Sequence, residues 1–185
     1  MEEYIFADTH FGDEKVRKLS RKRFKTIQEH DETIIKNLER INFKKDDKLY
    51  ILGDFGRLKG QLKERFKALP VEKTLLRGNH DNEEEEFYKE QGINKVIDKP
   101  FYKEGQVIFS HEPQPMNSKY IINVHGDLHG EVIDDPNYIN VSVDVNFYRA
   151  QNLKTLLKRK DSLKRIRTRH YEKRWHKGKT RKIHC

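Results

Sequence analysis

The stretch KLYILGDF, Lys48 to Phe55, is an apolar run of strand length that stops on a Gly-Asp pair. A short apolar run with this boundary reads as a strand buried on both faces. The same pattern recurs on either side of it. YIFAD, Tyr4 to Asp8, ends in a carboxylate, and KTLLRGNHD, Lys73 to Asp81, ends in a glycine and polar residues. Between the first two, residues from about Val16 to Ile41 read as helical, because Ile27, Ile34, Ile35, Leu38 and Ile41 recur at helical spacing. Gln61 to Leu69 reads as a helix stopped by Pro70. The acidic run Glu83 to Glu86 reads as the first turn of another short helix, where the helix dipole favours negative charge.

After Gly92 the texture changes. VIDKPFYKEGQVIFSHEP, Val96 to Pro113, reads as two strands around a Lys103–Gly105 turn. YIINVHGDLHG, Tyr120 to Gly130, and NYINVSVDV, Asn137 to Val145, read as two more strands. An order of β-α-β-α-β followed by hairpin-rich β structure predicts a layered α/β sandwich.

Composition narrows the class. The 185 residues are 34% hydrophobic and 37% charged, polar but long enough for one domain with a real core. No apolar run approaches the roughly 18 residues of a membrane span, and MEEYIFADTH carries no secretory pattern. The single cysteine, Cys185, excludes a disulfide framework and a cysteine zinc site. The expectation is a reducing, cytoplasmic setting with no membrane partner. The formal charge of +9 is uneven: residues 151–185 hold 14 Lys and Arg against Asp161 and Glu172, whereas 1–150 hold 25 against 28 Asp and Glu. A near-neutral domain, 1–150, with a basic, helical C-terminal extension, 151–185, is therefore expected. The extension suits a polyanion such as nucleic acid, and Tyr171 and Trp175 among its cations suit base stacking. A solvated charged helix accounts for the same residues equally well.

Polar residues gather just after the predicted strands: Asp8 and His10, Asp54, Asn79 with His80 and Asp81, His111, then His125, Asp127 and His129. Strand ends on one sheet edge are where open α/β folds place their sites, and Asp, His and Asn are ligands for divalent metals. One such residue is usually a cap or a satisfied buried polar group. Five clusters in the same relation to five strands are not explained that way.

Together these stretches resemble the calcineurin-like metallophosphoesterase superfamily, whose ordered blocks are D-x-H, G-D, G-N-H-[DE], a lone His and G-H-x-H. They stand here as Asp8-Thr9-His10, Gly53-Asp54, Gly78-Asn79-His80-Asp81, His111 and Gly126-Asp127-Leu128-His129. The resemblance is to a small phosphoesterase branch of bacterial and phage type, because the GDxxDRG block of the Ser/Thr phosphatases is absent. It implies a four-layer αββα sandwich of two mixed sheets flanked by helices. It also implies two divalent ions, manganese before magnesium, iron, zinc or nickel. Asp8, His10, Asp54 and His129 would hold the first ion, and Asp54 would bridge to a second held by Asn79 and His111. A hydroxide bridging the ions would attack the phosphoester, with His80 as the acid for the leaving oxygen. Asp81 and His125 would support the ligands from behind.

Asp127 departs from the pattern, which has histidine there. Three readings are open: the carboxylate ligates the second ion and favours harder metals, the second site is weakened, or the site is degenerate. Asp13 is a related departure toward a more acidic rim, and an N-cap explains it as well. The expected function is a metal-dependent phosphoesterase acting on a phosphodiester of nucleotide or nucleic-acid type. The competing reading is a weakened metallophosphoesterase-fold scaffold with a nucleic-acid-binding tail. The natural substrate, the native metals and the oligomeric state are not written in the sequence.

Overall fold

The computed structural model describes residues 1–103, 106–116 and 121–159. KLYIL forms β2 (Lys48–Leu52), and parallel neighbours form on both sides: β1 (Glu3–Phe6) and β3 (Glu72–Leu76). Ile51 pairs with Phe6 on one side and Leu75 on the other, so the most apolar strand is also the central one. β4 (Lys95–Ile97) extends the sheet beside β3, and a two-residue strand, Gln151–Asn152, closes it antiparallel to β1. Val96 and Ile97, expected in the hairpin, thus belong to the first sheet. Their backbone pairs with Leu75 and Leu76, and Pro100 separates them from the hairpin.

The second sheet holds β5 (Phe101–Lys103), β6 (Val107–Phe109), β7 (Ile122–His125) and β8 (Tyr138–Asn140) in that order. β5 and β6 form the expected antiparallel hairpin, part of whose turn lies outside the described residues, while β6, β7 and β8 are parallel. Both sheets are mixed, and they pack face to face. Ile5, Ala7, Tyr50, Leu52 and Leu76 of the first meet Val107, Phe109 and Val124 of the second in one buried layer. On the other face of the first sheet, Phe6, Leu49, Ile51 and Leu75 pack against Ile34, Ile35 and Leu38 of α2 (Ile27–Glu39), Phe66 of α3 (Gly60–Ala68) and Tyr88 of α4 (Glu85–Glu90). The outer face of the second sheet carries Asn123, covered by the loop in which Gln114 N–H donates to its Oδ1 at 2.8 Å. The α/β fold of two mixed sheets with helices is the one expected.

The helix expected from Val16 to Ile41 is two helices, α1 (Glu14–Ser20) and α2, with a break over residues 21–26. Asp13 caps α1 through Val16 N–H, and Thr26 caps α2 through Glu29 N–H. The break turns the Arg21 side chain inward, where it is 1% exposed as a residue. An unbroken helix would carry that charge along its own surface.

The sheet continues past residue 150, and residues 153–159 are helical, with Leu153, Leu156 and Leu157 packed on the layer between the sheets. The rest of the basic segment, including Tyr171 and Trp175, lies outside the described residues. No helix among the described residues is long and apolar enough to cross a membrane.

Candidate metal centre

Parallel pairing makes β1, β2 and β3 end on the same edge, so Asp8, Asp54 and the Asn79–Asp81 turn arrive side by side. β6 and β7 bring His111, Asp127 and His129 to that edge from the facing sheet. The sheets are stitched together there by Ala7 N–H to Val141 O and Val143 N–H to Ala7 O, both at 3.0 Å, while Gly126 N–H to His111 O at 2.9 Å ties β7 to β6 within the second sheet.

Five of the expected site residues lie in the left-handed backbone region: Asp8 (φ 57°), His10 (45°), Asp54 (55°), Asp127 (65°) and His129 (47°). Such conformations cost about 1–3 kcal/mol each for residues with a side chain. Local hydrogen bonds hold them: Asp8 N–H to Gly53 O at 3.0 Å, His10 N–H to Asp54 O at 2.8 Å and Asp127 N–H to Asp8 Oδ1 at 3.0 Å.

Asp8, Asp54 and His111 are all buried, and one ligand atom from each lies within 4.8 Å of the others. His111 Nδ1 faces Leu52 O at 2.8 Å. A carbonyl only accepts, so Nδ1 carries the proton and Nε2 presents its lone pair. Around Nε2 stand Asn79 Oδ1 at 2.9 Å, Asp54 Oδ1 at 3.5 Å and Asp127 Oδ1 at 3.7 Å. Asn79, Asp54 and His111 thus offer donors at one place, whereas the Asp127 carboxylate reaches only His111 and lies outside the group of Asp8, Asp54 and His111 whose ligand atoms fall within 4.8 Å of one another. On the other side of Asp54, His10 Nε2 is 3.3 Å from Oδ2, and the His10 ring stacks on His129 at 5.1 Å between centroids.

The remaining expected residues have separate places. Asp81 accepts from the backbone N–H groups of Asp54, Phe55 and Gly78 at 2.7–3.0 Å, so it holds the GD and GN turns together. The exposed His80 donates its backbone N–H to Asp54 Oδ1 at 3.0 Å, with its ring 5.4 Å from that of His10. Asp13, besides capping α1, places Oδ2 3.7 Å from His10 Nδ1. His125 is buried, with Nδ1 against Gly126 O and its ring 6.0 Å from that of Tyr138.

This donor set fits a divalent metal. Asp8 Oδ2 and His10 Nε2 are buried with no hydrogen-bond partner, although buried polar atoms are nearly always satisfied. Burial pushes the Asp8 carboxyl up despite the neighbouring His111. At Asp54 burial acts the same way, but His10 and His111 outweigh it and its pKa falls. An unsatisfied Asp8 oxygen beside a second buried carboxylate, Asp54, suits a cation between them. Glycine lets the donor side chains lie against the backbone: a Cβ on Gly78 would lie 2.3 Å from Asp54 Oδ1, and one on Gly53 2.2 Å from His111 Nδ1.

The model of calcineurin-like phosphoesterases matches residues 4–181. The chain belongs to this family. The chain is 31% identical over 180 residues to an uncharacterized protein of Methanocaldococcus jannaschii, a match covering 89% of this chain and 94% of the other. Its structure is similar to that of a protein of unknown function from Aquifex aeolicus, with a TM-score of 0.67 and 26% identity over 85% of this chain and 98% of that one. A nuclease from Pseudomonas putida is more distant, with a TM-score of 0.46 and 22% identity over 69% and 60% of the two chains. The family hydrolyses phosphoester bonds and uses divalent metals at a dinuclear site, and Asp8, Asp54 and His111 form a group that could hold a metal ion.

Four residues behind the phosphoesterase site escaped sequence reasoning. Asp144 Oδ2 lies 2.9 Å from His129 Nδ1, and Arg21 binds both Asp144 oxygens at 2.7 and 2.9 Å. His30 and Asp31 continue the network from Arg21. Burial would raise the Asp144 pKa, but His129 and Arg21 drive it well below the usual carboxylate range. Asp144 had a signal, since it follows NYINVSV as Asp8 follows YIFA. Arg21 sits in a run of surface-like cations and had none.

Gly78→Ala should displace both the Asp54 carboxylate and the Asp54 backbone, whose nitrogen its Cβ would meet at 2.6 Å. The expected result is a large loss of bound metal in elemental analysis together with a lowered melting temperature. Metal content equal to that of the natural chain would show that Asp54 does not depend on this space.

Proposed function

We propose that the protein is a manganese-dependent phosphodiesterase for nucleotide or nucleic-acid substrates, with Asp8, His10, Asp54 and His129 around one ion and Asp54, Asn79, His111 and Asp127 around the other. The observation that carries this reading is the buried, unpartnered pair Asp8 Oδ2 and His10 Nε2 beside Asp54. When bound, the divalent ions supply an activated water and neutralise charge building on the phosphoryl oxygens.

The chain's own groups do the rest. The His111 Nδ1–H bond to Leu52 O keeps the Nε2 lone pair turned to Asn79, Asp54 and Asp127. Asp127 supplies a hard oxygen where the family pattern has histidine, which favours manganese or magnesium over zinc. Asp54, held through His80 N–H and the Asp81-bound turn, bridges the two sets of donors. The His80 ring is free to give a proton to the leaving oxygen. A cleft lined by Phe11, Asp13, Arg57, Lys59 and Phe87 opens beside His80 and gives the leaving part of a diester room. The basic residues beyond 159 add phosphate affinity.

Four measurements test this reading. With manganese, bis-p-nitrophenyl phosphate should be cleaved faster than p-nitrophenyl phosphate; no turnover of either, together with no bound metal, sinks the enzyme reading. His80→Ala should slow cleavage of a dinucleotide, whose alkoxide needs a proton, by about 100- to 10,000-fold. It should affect the p-nitrophenyl esters far less, because p-nitrophenolate leaves unaided. Equal losses on both would remove His80 as the acid.

Asp127→Ala should halve the manganese bound per chain by elemental analysis, whereas an unchanged count would exclude Asp127 from the ligands. Deleting residues 160–185 should weaken binding of single-stranded DNA and flatten its salt dependence. A retained salt slope would mean that the tail takes no part.

A further inference from the structure

Arg21 joins segments that lie far apart in the chain. Its five N–H donors all have partners: Nε meets Asp144 Oδ1, one terminal nitrogen meets Thr9 O and His30 Nε2, and the other meets Asp8 O and Asp144 Oδ2. A guanidinium cannot accept, so His30 Nε2 is the acceptor of its pair. The His30 proton is then on Nδ1, donated to Asp31 Oδ1 at 2.8 Å, and Asp31 Oδ2 takes Gly12 N–H at 3.0 Å.

The same reasoning applies at the other end. Asp144, paired with Arg21 and buried to 12% side-chain exposure, is an acceptor-only carboxylate. His129 Nδ1 must therefore donate to it, which leaves the Nε2 lone pair free beside His10. Tyr148 Oη and Ser142 Oγ, both 3.3 Å from Asp144 oxygens, confine the carboxylate further.

We infer that Arg21 and Asp144 are positioning residues of the metal centre. Asp144 sets the tautomer and orientation of His129, while Arg21 holds Asp144 and the backbone carbonyls of Asp8 and Thr9 in one frame. The inference rests on His129 being a ligand, as proposed above. A carboxylate behind a ligating histidine fixes the ring and raises its basicity, and its loss typically weakens metal binding about 10- to 100-fold. Here one guanidinium extends that support to the strained loop carrying Asp8 and His10, so three ligand candidates share a single brace.

The test uses the full-length, metal-free, 15N-labelled protein at alkaline pH. Long-range 1H–15N spectra should show His129 in the Nδ1–H form. Asp144→Ala should move it to Nε2–H, the form that free imidazole prefers, and lower manganese affinity in equilibrium dialysis about 10- to 100-fold. Asp144→Asn keeps an oxygen acceptor without the charge, so it should keep the tautomer and fall between the two in affinity.

An Nε2–H tautomer in the natural chain overturns the inference. So does Asp144→Ala with tautomer and affinity both unmoved, or with only its melting temperature lowered. If Asp144→Ala does not fold, the natural chain and Asp144→Asn decide through the same spectra. A natural chain that binds no manganese overturns the metal-centre reading instead, and the tautomers still decide whether Asp144 positions His129.

Discussion

The ion pair between Arg21 and Asp144 closes the molecule on itself across 123 residues of sequence. Taking two charges out of water is expensive, and the attraction between them repays this only when every remaining donor and acceptor is satisfied. That condition is met, because carbonyls from the β1 loop and a histidine from α2 complete the guanidinium. Removing one partner alone would strand a buried charge, at a cost of about 3–5 kcal/mol. The pair is therefore better understood as a specifier of geometry than as a source of stability. The break between α1 and α2, the inward carbonyls of Asp8 and Thr9, and the ring of His129 all meet at it.

The left-handed residues are the second constraint. Five strained positions meet at one edge, and none would persist in an isolated loop. Each is held because parallel strands of two sheets deliver their ends to the same place, where the N–H of one turn finds the carbonyl or carboxylate of the next. The left-handed Asp8 and Asp54 bring their carboxylates together beside His111, with Asp127 3.7 Å from the same histidine. The site concentrates acidic side chains, and Asp127 adds one where the family pattern has histidine.

Much of this was readable from residue order. Short apolar runs ending in Asp, Gly-Asp or Gly-Asn-His could be placed as buried strands, because burial on both faces leaves an unbroken apolar signal. The five ordered blocks carry the family resemblance because metal chemistry restricts the residue types at strand ends. The N-caps Asp13 and Thr26 were of the same local kind, although only Asp13 was considered. Local physics produced all of these features, so a local reading could find them.

Other features depended on contacts that no local pattern encodes. Val96 and Ile97 look like hairpin residues and became part of the first sheet, because β3 offered a free edge. The apolar spacing around Ile34 and Leu38 suggested one helix, but the interior needed the Arg21 charge and the helix broke. Arg21 and Asp144 are unremarkable in sequence; their meaning comes from meeting each other and His129. The sequence by itself determined the strands, the family and the ligand types, since these follow from hydrophobic runs and metal-binding side chains. Only the tertiary structure decided which charges are braced, which histidine nitrogen is bare and where Asp127 stands, because those depend on distances between segments that the chain separates by 15 to 123 residues.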